Sequence, residues 1–398
     1  MADTKAKDSK SAEEPKQFTV TIPSLDRSVK VVATLQENEE DAAHPPKLLK
    51  LTNNPLSSSP TTPIKVPKTH IILSTGSGHR KAESFFQDVV SPILDLIHPG
   101  GIKACELHTT TSETSILELT RDVFLPAATR GEAQRIILAS GDGGVVDLVN
   151  GMLAQTPEKE GYVAPEIVLL PLGTANALYH SINAGKENTW GLAALGSSTC
   201  KTLPSFTATF SPGSRLLVDE ARKEEVLPDG NLLHGAVVLS WGMHASLVAD
   251  SDSSEYRKFG IDRFKMAAKE ALYPADGSLP HSYHGRVSFL PPNSQDWQAL
   301  PEKEHLYTLT TLVSNLEAPF CISPSSKPLD GSLHLVHFGP TSGDEAMRIM
   351  GLAYQGGKHV DDEMVRYQQI DGLRIEVDEG EGRWRRVCVD GKIIRVEE

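Results

Sequence analysis

Ser140-Gly-Asp-Gly-Gly-Val-Val-Asp-Leu-Val-Asn-Gly151 is the stretch on which the fold turns. It follows Arg135-Ile-Ile-Leu-Ala139, a short apolar, β-branched run that reads as a buried strand. After Gly144, the residues Val145, Val146, Leu148, Val149, Met152 and Leu153 recur at helical spacing. Strand, glycine turn and helix in that order aim free backbone N–H groups and the positive end of a helix at one point, which makes an anion site. Asp142 lies inside that turn, where a carboxylate would repel a phosphate. An acid there makes chemical sense as a magnesium ligand or a proton acceptor. Gly141-Asp-Gly143 alone is an ordinary turn tripeptide; the flanking sequence shifts the balance.

Upstream, Thr69-His-Ile-Ile-Leu73 reads as a strand. It runs into Ser74-Thr-Gly-Ser-Gly-His-Arg-Lys81 and then a helix with Ala82, Phe85, Phe86, Val89 and Val90 on its inner face. The loop lacks the Walker spacing and its closing Lys-Ser/Thr. Ile102–Leu107 reads as a third strand, and Thr110-x-x-Glu113 fits a capping box opening a helix through Thr129. Downstream, Glu166-Ile-Val-Leu-Leu170 is another strand, ending in Pro171-Leu-Gly-Thr-Ala-Asn-Ala-Leu178. Strands alternating with helices predict a nucleotide-binding α/β domain over residues 68–204, built on a doubly wound parallel sheet with its ligands at the glycine turns.

Beyond Thr202 the texture changes to short strand candidates between Pro, Gly and Asp turns, among them 205–210, 232–241, 282–290, 306–313, 332–338 and 387–389. Two helices interrupt them, Glu255–Leu272 and Asp344–Tyr354. This pattern predicts an antiparallel β-sandwich domain over 205–398, with the active site in the interdomain cleft. Residues 1–67 read as a flexible extension. Its first 16 residues are too polar to fold, Phe18–Ile22 and Val29–Ala33 suit a hairpin about Pro23–Arg27, and Glu37–Pro67 forms a linker ending in Ser57-Ser-Ser-Pro-Thr-Thr-Pro63.

The 398 residues carry a net charge of −13, which argues against a nucleic-acid partner and against a purely electrostatic grip on anionic membranes. Cys105, Cys200, Cys321 and Cys388 have no CxxC spacing, so neither a zinc knuckle nor a disulfide framework is indicated. The charged start lacks an apolar signal region, and no run approaches the ~18–20 apolar residues of a membrane span. These features predict a reduced, cytoplasmic protein.

The motifs together resemble the lipid kinase superfamily of diacylglycerol, ceramide and sphingosine kinases. The resemblance rests on Ser140-Gly-Asp-Gly-Gly-x-x-Asp-x-x-Asn-Gly151, on Pro171-Leu-Gly-Thr-Ala-Asn176, and on the terminal Val389-Asp-Gly-Lys392. Ser240-Trp-Gly-Met243 and the stretch Ala249-Asp-Ser-Asp-Ser-Ser-Glu-Tyr-Arg-Lys-Phe-Gly-Ile-Asp-Arg263 resemble the sphingosine (long-chain base) kinase branch most. The likeness runs in one order from about residue 68 to 396.

The resemblance implies an ATP- and Mg²⁺-dependent phosphotransferase acting on a lipid hydroxyl, most closely that of a sphingoid base. Its nucleotide would lie over Ser74, Thr75, Gly76, Ser77 and Gly78; over Thr109, Thr110, Thr111, Ser112 and Glu113; over Gly141, Gly143 and Gly144; and over Gly173, Thr174, Ala175 and Asn176. Arg257 and Arg263 would bracket the polyphosphate, and Asp390, Gly391 and Lys392 would complete that site. Asp142 would be the general base, with Ser140 and Asp250 at the substrate and Asp252 as the rival to Asp250. Asp147 would either support a metal–water network, as Asp142 could, or balance the charge of the helix start. Asp330 lies in a loop that either holds a structural metal or forms a plain β-turn. Contact with a membrane surface would be peripheral and transient, and the oligomeric state is left open.

Five positions depart from the pattern: Ser74-Thr75 stands for Asn-Pro, Ala175 for a glycine, His244 for an acid of the diacylglycerol branch, and Lys392 for an acid. Lys392 would either meet phosphate directly or mark weakened magnesium use. Three alternatives stand beside the sphingoid reading. They are a diacylglycerol or ceramide kinase, a soluble kinase of the same superfold such as one acting on NAD, and a catalytically degenerate member that binds nucleotide or lipid.

Overall fold

The computed structural model describes residues 16–38, 44–56, 65–154, 161–227 and 230–397. The chain forms two compact units. One comprises Met1–Val66, Ser84–Ala104 and Leu192–Ser197; the other comprises Pro67–Glu83, Cys105–Gly191 and Ser198–Glu398.

In the first unit, β1 (Gln17–Pro23) and β2 (Val29–Gln36) form the expected antiparallel hairpin. Asp26 fastens its turn, accepting bonds from the Ser24 and Ser28 hydroxyls at 2.6 and 2.7 Å. Val20 and Ile22 alternate into the core with Val31, Ala33 and Leu35, as a half-buried strand pair requires. A third strand, β3 (Lys47–Pro55), pairs with β2 and corrects the reading of 37–67 as a linker. It is an edge strand with mostly exposed side chains, so main-chain bonding rather than apolar alternation defines it, and no periodic signal marks it. Residues 1–15 and 57–63, read as disordered and as linker, lie outside the described residues. The chain re-enters this unit through α1 (Ala82–Phe85), a π turn (Phe86–Val90) and α2 (Ser91–Ile97), with α2 packed on β2 and the π turn on β3. The predicted inner face is buried throughout.

The second unit opens with a parallel sheet in the order β5-β4-β6-β7, made of β4 (Lys68–Leu73), β5 (Glu106–Thr109), β6 (Gln134–Ser140) and β7 (Glu166–Pro171). The order reverses between β4 and β6, so the loops leaving these two strands flank the switch point at which doubly wound sheets hold ligands. After β5 the chain forms α3 (Ser115–Leu119), a π turn (Thr120–Phe124) and α4 (Leu125–Thr129). The helix therefore starts four residues later than the Thr110–Glu113 capping box predicts. Thr110 is instead drawn into a contact with the first loop, and the Ser115 hydroxyl takes the Thr111 and Ser112 N–H groups at 3.1 and 2.9 Å. Helix α5 (Asp142–Leu153) follows β6, and α6 (Ala177–Ile182) follows β7.

The C-terminal half is antiparallel. An eight-stranded sheet runs in the order β10 (Lys223–Val226), β9 (Arg215–Val218), Lys392–Arg395, Arg386–Val389, β12 (Val238–Gly242), Tyr307–Thr311, Leu333–Phe338, Arg366–Ile370. A second sheet gathers around β13 (Tyr283–Leu290), and β11 (Leu232–Gly235) pairs with β8 (Phe206–Thr209). The predicted single strand 232–241 is thus two strands in different sheets. Its bend at Ala236-Val237 is held by the Asp390 carboxylate, which accepts the N–H groups of Ala236, Val237 and Val238 at 2.6, 3.0 and 2.6 Å. Helix α7 (Met243–Ser251) has no regular apolar stripe and was not legible. The predicted helix 255–272 is broken into α8 (Ser254–Arg257) and α9 (Asp262–Leu272), with Gly260 left-handed between them. Gly343–Ala353 (α10) matches the second predicted helix. No helix among the described residues is long and apolar enough to cross a membrane.

Candidate active site

The loops leaving β4, β6 and β7 meet backbone to backbone. A Cβ on Gly141 would lie 2.7 Å from Gly173 Cα, and one on left-handed Gly78 would lie 2.9 Å from Gly173 O. Only glycine permits this approach, so the three loops form one surface of main chain. Side chains stitch it together. Ser77 Oγ lies 2.6 Å from Ser74 Oγ and 3.2 Å from Ser140 Oγ, while Asn176 Oδ1 accepts Gly173 N–H at 2.8 Å. Gly76 and Gly143 border open space.

Asp142 begins α5 at this junction, and its carboxylate accepts the N–H groups of Ala177 (2.8 Å) and Leu178 (3.0 Å) at the start of α6. Those two amides cap the carboxylate and fix its direction, yet each oxygen keeps a further lone pair. Burial raises the carboxyl above its ordinary range, against the lowering effect of the two amides. The departure at Ala175 is accommodated here, since the left-handed residue of the turn is Asn176 (φ 53°). Thr75 answers the missing Asn-Pro. Its N–H donates to Thr110 Oγ1 at 3.1 Å and its hydroxyl to Thr110 O at 2.9 Å, fastening the first loop to the Thr109–Glu113 loop.

Farther along α5 the signature residues are committed to packing. Buried Asp147 meets Lys392 Nζ at 2.7 Å, and burial still raises its carboxyl despite that ammonium. Asn150 donates to His234 O at 2.8 Å and accepts His234 N–H at 2.9 Å, pairing with β11 as a neighbouring strand would. Buried Asp390 holds the bend at 236–238, and desolvation together with the Asp142 charge pushes it up to about 7. Gly391 (φ 89°) forms the turn between it and Lys392.

Arg257 and Arg263 converge on one carboxylate. Arg257 makes a forked pair with Asp252 at 2.8 and 3.1 Å, and Arg263 reaches Asp252 Oδ1 at 3.2 Å. Arg257 also faces Glu113 at 3.9 Å, and Gly260 lies against His79 of the first loop, so this segment stands beside both nucleotide-loop candidates. Asp250 is separate, held by Arg383 (3.0 Å) and Arg386 (2.8 Å). His244 Nδ1 lies 2.7 Å from Ser240 Oγ, and burial lowers it to about 4, which keeps the ring neutral. Asp330 accepts Ser332 N–H at 2.9 Å within a turn. Sequence reasoning missed the α6 amides, Arg383 and Arg386. The helix start after Asn176 was a signal for the first; the arginines had none.

Glycine turns at a doubly wound switch point, a carboxylate directed into them and paired arginines alongside are an arrangement suited to handling phosphate. Residues 68–203 match the diacylglycerol kinase catalytic domain family. Human sphingosine kinase 1 is 24% identical over 360 residues, covering 81% of this chain and 85% of that protein. The sphingoid long-chain bases kinase 1 of Arabidopsis thaliana is 31% identical over 178 residues, 42% of this chain and 22% of that protein. A solved Bacillus anthracis structure, provisionally described as a diacylglycerol kinase, shares the fold with a TM-score of 0.51 at 13% identity, covering 84% of this chain and 96% of that one. Residues 68–203 thus carry a diacylglycerol kinase catalytic domain, and over most of its length the chain is similar to sphingosine kinases.

Proposed function

We propose that this protein transfers the γ-phosphoryl group of ATP to the hydroxyl of a sphingoid base. The observation that carries the reading is the Asp142 carboxylate, held by two α6 amides at the point where the three glycine loops meet. In this reading the substrate hydroxyl attacks the γ-phosphorus, the bond from that phosphorus to the β–γ bridging oxygen breaks, and Asp142 receives the hydroxyl proton. Its raised pKa makes it a stronger proton acceptor than an ordinary carboxylate. Positioning and charge neutralisation carry phosphoryl transfer, so glycine amides with Arg257 and Arg263 are an adequate protein contribution. Sphingoid preference is supported by the curated relatives, named sphingosine or long-chain base kinases. Asp250 would take the ammonium or hydroxyl of the headgroup in exchange for exposed Arg383.

The carboxylates here suit a magnesium ion carried mainly by phosphate oxygens. Backbone amides occupy Asp142 and Asp390 in part, and Lys392 occupies Asp147, so they close no cage; Asp142 is the residue that would reach the ion. Magnesium would supply neutralisation of the β- and γ-phosphate charge. The two departures that favour a degenerate member have structural accounts, since Thr75 is fastened to Thr110 and Lys392 is neutralised by Asp147.

The test is transfer of labelled γ-phosphate from Mg-ATP to sphingosine, dihydrosphingosine, phytosphingosine, diacylglycerol and ceramide in mixed micelles. Wild type and Asp142→Asn are run together. Product on sphingoid bases, lost in the variant, supports the reading. Product on diacylglycerol or ceramide alone overturns the substrate, and no product from folded, ATP-binding protein overturns the activity.

A further inference from the structure

Away from the glycine loops, His70 on β4 and Glu106 and His108 on β5 share one face of the parallel sheet, His70 standing opposite Glu106 in register. Among the described residues they are the one group of three His, Cys, Asp or Glu side chains whose ligand atoms all lie within 4.8 Å of one another. His70 Nδ1 is 3.1 Å from His108 Nε2 and 3.3 Å from Glu106 Oε2. Two donors on a tetrahedral Zn²⁺, each about 2.0–2.1 Å from the metal, stand roughly 3.3 Å apart.

With neutral imidazoles one direct contact of the triad is left unmade: a hydrogen on His70 Nδ1 faces two acceptors and serves one, and a hydrogen on His108 Nε2 leaves the bare His70 nitrogen facing the Glu106 carboxylate. A cation at the centre would use all three lone pairs.

The surroundings orient the three ligands. Phe124 sets its ring edge-on to both imidazoles, with centroids at 5.0 and 6.0 Å. Lys68 Nζ holds the other Glu106 oxygen at 2.8 Å, which leaves Oε2 for the site and supplies the outer contact that orients a ligating carboxylate. Burial lowers the pKa of both histidines, His70 to about 4.

We propose that His70, Glu106 and His108 form a binding site for a borderline divalent metal ion of the Zn²⁺ class, which clasps edge strand β5 to β4. Two imidazoles and one carboxylate suit zinc rather than calcium or magnesium. The clasp lies directly below Thr109, so it braces the root of the Thr109–Glu113 loop. The inference is independent of the phosphoryl-transfer reading.

The full chain, stripped with chelator, is titrated with Zn²⁺ by calorimetry and with Co²⁺ by visible absorption. The expected result is one saturable equivalent, an intense tetrahedral cobalt band and a rise in Tm. Glu106→Gln and His108→Gln each weaken Zn²⁺ binding at least tenfold and remove the band. Both positions have solvent access, which spares the buried His70, and folding is checked by circular dichroism. His284→Gln, at a separate His/Glu contact, leaves binding unchanged. Absence of a stoichiometric site in folded wild type, or equal affinity in the Glu106 and His108 variants, overturns the proposal.

Discussion

The two ends of helix α5 use the same signature motif for opposite purposes. At the N-terminal end Asp142 is half-buried, and its carboxylate is steered by two amides but not exhausted by them. One to two turns on, Asp147, Asn150 and Gly151 are buried and committed to packing, against Lys392, the His234 backbone, and Thr120, whose methyl leaves no room for a Cβ on Gly151. A motif that reads as one chemical signature is therefore a reactive group followed by the scaffold that holds it between the parallel sheet and β11.

Substitution at each end sharpens or breaks that contrast. Asp142→Asn is expected to lower kcat by about 10²- to 10⁴-fold, the range of a lost general base, with a stability loss of only about 1–3 kcal/mol because the new amide nitrogen faces one of the two α6 N–H groups. Equal losses of activity and fold would end the distinction. Lys392→Met leaves Asp147 buried and unpaired, and denaturant titration is expected to show a loss of about 2–3 kcal/mol, below the fully buried case because Lys392 keeps solvent contact. Pairing it with Asp147→Leu restores most of the loss if the two residues interact mainly with each other. Asn150→Ala strands the His234 N–H and C=O and is expected to cost about 2 kcal/mol, with KM for ATP unchanged. The acid limb of kcat/KM offers a finer reading. A base whose pKa is raised must lose its proton to act, so activity rises with pH through a midpoint above the ordinary carboxylate value near 4. That limb disappears from the residual activity of Asp142→Asn. Smallest is Thr75→Val, which removes one hydroxyl bond to Thr110 and is expected to cost about 1 kcal/mol, read as a lower Tm.

The parallel sheet was legible because β4, β6 and β7 are short apolar runs delivered into polar glycine turns, and they match their predicted positions within two residues; β5 is polar and ends in no glycine turn, and the strand expected over 102–107 overlaps it only at Glu106 and Leu107. Legibility failed where long-range main-chain bonds set the structure. Edge strand β3 has no apolar alternation, the 236–237 bend depends on a carboxylate some 150 residues away, and Thr110 leaves its expected capping box for a partner 35 residues upstream. The site divides likewise. Asp142 and its glycines could be named from local pattern, and Asp252 stood only as a rival to Asp250. Its sharing by Arg257 and Arg263, 5 and 11 residues on, depends on the break at Gly260 that the helical reading 255–272 did not contain.

The first unit is assembled from three separate passes of the chain, with the β1–β3 sheet laid over α2 and its π turn. Val89, Val90, Ile93, Leu94 and Ile97 are all 1% exposed or less there. Trimming the protein at residue 67 to obtain a minimal catalytic fragment would therefore not shorten a tail. It would uncover an apolar helix face belonging to the part that is kept, and such a fragment should associate or precipitate where the full chain stays dispersed. The N-terminal segment is in this sense an intramolecular lid on its own sequence, and deletion boundaries have to follow contacts rather than residue order.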